Sequence, residues 1–193
     1  MLLVLLLGIA DFGRVFHAGI TMEAATRNAA EAGAQEYLQQ SRNSAPGTPI
    51  DYEAIHLTAA RVACQEAQRL PNTTFAPDST GGTCSGIPVV RVCVHDDAVR
   101  PPGDPKCGAS IPGFAGTIPG ECEYMQGDGS PPGADPAWLP AMDAAEASIY
   151  VEVRTCYRFT TMVTMPLALP MNTGITIGEI YLSDRAVFTV ADY

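Results

Sequence analysis

Six cysteines, three histidines and 21 carboxylates are among the side chains of this sequence able to do chemistry. The cysteines stand at 64, 84, 93, 107, 122 and 156, separated by 20, 9, 14, 15 and 34 residues, with no C-x-x-C pair. Structural zinc draws its ligands in close-spaced pairs, so this spacing argues against a metal. An even number of dispersed cysteines behind an apolar N-terminus points to disulfides formed outside the cytoplasm. Proximity in sequence pairs Cys64 with Cys84 and Cys107 with Cys122, and a shared outward strand face pairs Cys93 with Cys156. Other connectivities stay open at this point. His17, His56 and His95 belong to no H-E-x-x-H or triad pattern, and Gly108-Ala109-Ser110-Ile111-Pro112 misses the nucleophile elbow at its last position. His95-Asp96-Asp97 with Asp104 lacks the alternating oxygen register of a calcium loop and reads as a solvated turn. No catalytic residue, metal or cofactor is expected, and the chain does not read as an enzyme.

These residues must be carried on something, and the first forty residues are the most informative part of it. Residues 1–10, MLLVLLLGIA, are unbroken apolar. A spanning helix takes about 20 such residues and a signal-peptide core roughly 7–15. No positive charge precedes the run and no small-residue cleavage site follows it, so it does not read as a cleaved signal. From Val15 to Gln40 there is no Pro, and Ala dominates. A helix over residues 1–41, about 60 Å long at 1.5 Å per residue, is predicted, stopped by Asn43-Ser44-Ala45-Pro46-Gly47. Glu23, Arg27 and Glu31 recur at a spacing of four and form one charged ladder on it. Asp11 and Arg14, one turn apart, are able to pair, either marking where a bilayer ends or setting register between subunit helices. A rod this long cannot bury itself in its own head, so it must meet lipid or other helices.

Residues 42–193 read as a separate disulfide-stapled head. Asp51 to Leu70 is amphipathic, with Ile55, Ala59, Val62, Ala63 and Leu70 inward and Glu53, Arg61, Glu66 and Arg69 outward. Strands are expected over 87–94, 148–160 and 179–190. In the second, Val151, Val153, Thr155, Tyr157 and Phe159 share one face, while Glu152, Arg154, Cys156 and Arg158 share the outward one. Two helices and a small antiparallel sheet make the fold class α+β. Residues 95–140 are crowded with Pro and Gly and read as a long exposed loop. A formal net charge of −10 excludes nucleic acid as a partner, since no positive field is present to displace counterions.

The string LLLGIADFGRVFHAGITMEAATRNAAEAGA, residues 5–34, resembles the start of TadE-like proteins of the tight-adherence, Flp-type pilus system. Gly8, Ile9, Asp11, Phe12, Gly13 and Arg14 fit its boundary motif, and Asn28-Ala29-Ala30 its helix. The alternating VEVRTCYRF at 151–159 is similar to the family's C-terminal strand. The resemblance implies a pilin-like fold and a pilin or pseudopilin role. Its partners would be membrane lipid, further copies of itself or other pilin subunits, and the pilus assembly machinery. The family carries further apolar residues, including a Glu, ahead of this motif, while Leu5 stands where a mature pilin has its Glu. A start lying further upstream is therefore expected. The first hypothesis is a cell-surface filament subunit, membrane-anchored before assembly. The alternative is a membrane-tethered adhesion module that does not polymerise, and deleting residues 1–40 is the experiment that separates them.

Overall fold

The helix predicted over the first forty residues is present as a single unbroken rod, α1 (Leu2–Asn43). The computed structural model describes residues 2–45, 48–77, 83–86, 89–95, 106–108, 149–167 and 175–190. At the far end of α1 the Gln40 side chain bonds both ways to the backbone of Asp51, accepting from its N–H at 2.8 Å and donating to its carbonyl at 3.3 Å. That clamp turns the chain back into α2 (Tyr52–Glu66), and Asp51 caps α2 by accepting from the Ala54 N–H at 3.1 Å. A 3-10 turn over Ala67–Arg69 closes the second helical segment before Pro71.

Among the described residues the strands that follow are β1 (Thr74–Ala76), β2 (Thr83–Ser85), β3 (Val89–His95), β4 (Lys106–Gly108), β5 (Ile149–Leu167) and β6 (Ile175–Val190). β1 and β2 pair as a small ribbon, and the rest form an antiparallel sheet in the order β4-β3-β5-β6. The α+β expectation is met, with one long helix, a second helix and small antiparallel sheets. β5 and β6 outrun the predicted strands and pair as far as Leu167 with Ile175, with an irregularity between Thr160 and Met165.

The two helices lie on one face of the sheet, α1 over β5 and β6 and α2 over β3. Ala18, Met22, Ala25, Ala29, Ala30 and Ala34 of α1 are buried there with Ile55, Ala59 and Ala63 of α2 and Val92, Val94, Val151 and Val153 of the sheet. Small residues let the backbones approach. A Cβ placed on Gly33 would stand 3.0 Å from Val151 Cγ1 and 3.3 Å from Ala59 Cβ, so α1, α2 and β5 meet there without room for a larger residue. α1 runs antiparallel to β5. Gly33 lies beside Val151, Thr26 Oγ1 shares a hydrogen bond with Thr155 Oγ1 at 2.6 Å, and Arg14 sits over Phe159.

Two disulfide expectations are corrected. Cys64–Cys84 is formed as expected from proximity, with the Cα atoms 5.9 Å apart. Cys93, however, bonds Cys107, not Cys156, and Cys107 is thereby unavailable to Cys122. The register explains it. On β5 the residue opposite Cys93 is Glu152, whereas Cys156 faces Val89; on the other side β4 places Cys107 directly across from Cys93. Cys156 is itself disulfide-bonded. Cys122 lies outside the described residues, as does the 95–140 loop apart from His95 and residues 106–108.

Candidate functional site

The residues singled out on α1 fall into two groups that the structure treats differently. From Ala18 onward the inward stripe is docked on the sheet. On its other side, from Leu6 to Ile20, the same helix exposes large apolar side chains: Leu6, Ile9, Phe12, Phe16 and Ile20 are all exposed, Phe12 at 74% and Phe16 at 64%. Spacings of three and four residues place these five along one side of the rod. Gly8 and Gly13 lie in the same stretch, and a Cβ on either would meet nothing within 4 Å. That stripe combines flat glycine steps with large apolar knobs, the pattern that lets a second helix approach closely.

The charged ladder continues the stripe. Glu23, Arg27 and Glu31 are exposed, and Gln35 donates to Glu31 Oε1 at 3.2 Å. Going up one side of α1, the surface is apolar through Ile20 and charged from Glu23 on. Glu23 and Arg27 also line a groove of about 540 Å³ against β6, with Asp184 and Phe188 opposite.

Asp11 and Arg14 mark the transition on the inward side. Arg14 Nη1 donates to Asp11 Oδ1 at 3.0 Å, and Asp11 is buried although its neighbours are not. The Arg14 guanidinium carbon lies 5.2 Å from the centre of the Phe159 ring, within cation–π range. Tyr157, two residues before Phe159 on β5, donates its hydroxyl to the Pro71 carbonyl at 2.8 Å. Burial pushes its phenol up against the opposing pull of Arg14, which keeps it a donor. The arginine and the two aromatic residues therefore fix the point at which α1 leaves the sheet.

The sheet's other face holds a cluster that strand alternation pointed to solvent. Glu152 and Cys156 are fully buried and Arg154 nearly so, which corrects the outward reading for these three, while Arg158 is exposed as expected. Glu152 Oε1 accepts from Arg154 Nε and pairs with Arg185 Nε, each at 2.7 Å, while Oε2 lies 3.1 Å from His95 Nε2. The His95 ring stacks on Tyr150 at 4.2 Å. Burial alone would raise the Glu152 carboxyl; the hydrogen bonds and charges of its three partners outweigh it and hold it below the ordinary range. The cluster ties β3, β5 and β6 together across their centre. Arg185 is its one member that reaches solvent.

Asp184 is the opposite case. It faces α1 opposite Thr155 in the register, and its Oδ2 is buried without a hydrogen-bond partner among the described residues. Burial pushes its carboxyl up; the Arg185 backbone and the Thr26 hydroxyl pull it down, and Glu23 adds to the rise. No sequence signal distinguished Glu152 or Asp184, because both sit in strands whose alternation is regular.

The geometry that matters for recognition is therefore the N-terminal rod with its boundary pair. Residues 1–31 match the family model of TadE-like proteins. The match bears out the resemblance drawn from the N-terminal residues. The TadE-like segment takes in the free apolar stripe, the Asp11–Arg14 pair and the start of the docked half; the head from α2 onward lies outside it. No curated protein and no solved structure matches the chain. Among the described residues no helix is long and apolar enough to cross a membrane.

Proposed function

We propose that this protein is a structural subunit, a pilin or pseudopilin, of a cell-surface pilus-like filament or its assembly system, anchored and polymerised through α1. One observation carries the reading. Half of a continuous helix is locked into the head, while the other half holds five large apolar side chains in open solvent, an arrangement too costly to be left uncovered. Identical helices packed side by side in a filament would cover it, and lipid would cover it before assembly. Residues 1–41 thus serve as the shared helix and 42–193 as the displayed head, with the docked half of α1 belonging to both. The TadE-like match over residues 1–31 supports the reading of the helix.

Deleting residues 1–40 is a poor test, because Ala18 to Tyr37 of α1 are part of the head's own core. The better test is Phe12→Glu with Phe16→Glu, which changes only the free stripe. The expected result is an unchanged thermal unfolding midpoint together with loss of surface filaments in electron micrographs labelled for the subunit. Filaments of normal number containing the variant would defeat the proposal. A surface-displayed, active but unpolymerised wild-type protein would favour the tethered adhesion module instead.

A further inference from the structure

The face of the sheet that carries Glu152 is buried, and neither helix buries it. α1 and α2 dock on the opposite face, where Gly33 meets Val151 and Ile55, and Thr26 meets Thr155. On the face turned away from them Cys93, Tyr150, Glu152, Arg154 and Cys156 are all buried. One of these names what lies over them. Cys156 is disulfide-bonded. Cys64 is joined to Cys84 and Cys93 to Cys107, so of the six cysteines only Cys122 is left to be its partner.

The attachment points define a path. The chain leaves the sheet at β4, where Cys107 is tied to Cys93, and returns to it at Ile149, the first residue of β5. Cys156 lies further along β5, about 23 Å from Ile149 at 3.3 Å per residue. A chain that leaves β4, reaches Cys156 and comes back to Ile149 has to run along β5 on this side, past Arg154 and Glu152.

The two partners also match in charge. Arg91, Arg154 and Arg185 stand in register across β3, β5 and β6, and Arg158 follows on the same face of β5. Among the described side chains of that face Glu152 is the one carboxylate; the next in register, Glu179, lies across from Thr160, beyond Arg158. Buried arginines in excess of their carboxylates are costly unless paired. Residues 109–148 hold six carboxylates and no Lys or Arg. Two of the six, Glu121 and Glu123, flank Cys122, and strand alternation sets Arg154 and Arg158 on either side of Cys156.

We infer that the Glu152 face is a docking surface for the chain's own acidic segment, residues 109–148, fixed by a Cys122–Cys156 disulfide that brings Glu121 and Glu123 to Arg154 and Arg158. The inference does not depend on the filament reading of α1. It closes this side of the sheet to other molecules and gives the head an acidic surface opposite the helices.

Digestion of the oxidised wild-type chain without reduction, followed by mass spectrometry, should yield a cross-linked peptide pair containing Cys122 and Cys156. A free Cys156 thiol, another partner for it, or a reducible dimer overturns the inference. The charge match is read in Cys122→Ser, where Cys156 becomes the only thiol, through its reaction with uncharged iodoacetamide. The folded rate, divided by the rate of the same chain unfolded in urea, should be far below one. Adding Glu121→Gln and Glu123→Gln should raise that ratio roughly tenfold, equivalent to about 1.4 kcal/mol of docking. A ratio near one in Cys122→Ser alone, or the same ratio with and without the glutamates, overturns docking by charge. Should Cys122→Ser lose cooperative thermal unfolding, the comparison moves to the intact bridge. Its reduction by dithiothreitol should then be roughly tenfold faster in Glu121→Gln/Glu123→Gln than in wild type, and an unchanged rate overturns the charge match.

Discussion

α1 is one helix with two occupations, and its halves differ in what their side chains have to do. Between Ala18 and Tyr37 the inward positions are mostly Ala, with Gly33 at the tightest crossing, and nearly all are buried. Between Leu6 and Ile20 the exposed positions are Leu, Ile and Phe, and the glycines stand in open space. Large apolar residues are thus placed where the monomer cannot bury them and small ones where it can. On the proposed reading, stability is built into the docked region and association into the free one, and substitutions in each should move one property and spare the other.

The largest effect is expected in the docked region at Glu152. Glu152→Ala leaves Arg154, Arg185 and His95 around an empty centre and should cost about 3–5 kcal/mol in denaturant unfolding, the range for breaking one side of a buried ion cluster. An exposed, weakly coupled carboxylate would cost far less, so a loss under about 1 kcal/mol would break the assignment. Removing the Cys64–Cys84 bridge by Cys84→Ala should cost about 2–4 kcal/mol by the loop-closure argument, read from the same unfolding curve.

Gly33→Leu should destabilise by about 1–3 kcal/mol through overpacking against Val151 and Ala59. Its counterpart in the free region, Gly13→Ala, meets nothing within 4 Å. Helix propensity alone then predicts a gain of at most about 1 kcal/mol. Similar losses at both glycines would erase the distinction between the halves.

The acid limb sharpens the comparison within the docked region. Glu152 is held below its ordinary value of 4.5, so its contribution is complete above that value and is lost as pH falls through the lowered one. Asp184 is held above its ordinary value of 3.8, so the native state binds its proton more tightly. Its ionisation costs stability as pH rises from 3.8 through the raised value. Asp184→Asn should therefore raise the unfolding midpoint at neutral pH and lose that advantage in acid. A lower midpoint at neutral pH would contradict the burial of Oδ2. This is the smallest of the expected effects.

Much of this architecture was legible in the sequence. An unbroken Ala-rich run without Pro announces α1, Asp51 announces the start of α2, and alternating valines announce β3 and β5. The boundary motif around Asp11-Phe12-Gly13-Arg14 carried the family. The Glu152 cluster was not legible, because alternation assigns Glu152, Arg154 and Cys156 to a second face without saying whether that face is wet. The Cys93–Cys107 bridge was hidden for another reason: β4 is three residues long, inside a Pro- and Gly-rich stretch, and gives no strand signal of its own. The β5–β6 extension was cut short in the sequence reading by Pro166, which ends a strand in most contexts but here is still paired, with Thr176.

The central claim is that the free face of α1 meets another helix of the same kind in the assembled state. Site-specific photo-crosslinking in cells tests it directly, with a benzophenone amino acid placed at Phe12 in one set of cells and at Gln68, an exposed position just beyond α2, in another. The account predicts covalent subunit–subunit adducts through position 12 and not through position 68. A correctly folded, surface-localised protein that gives no adduct at position 12 would contradict it.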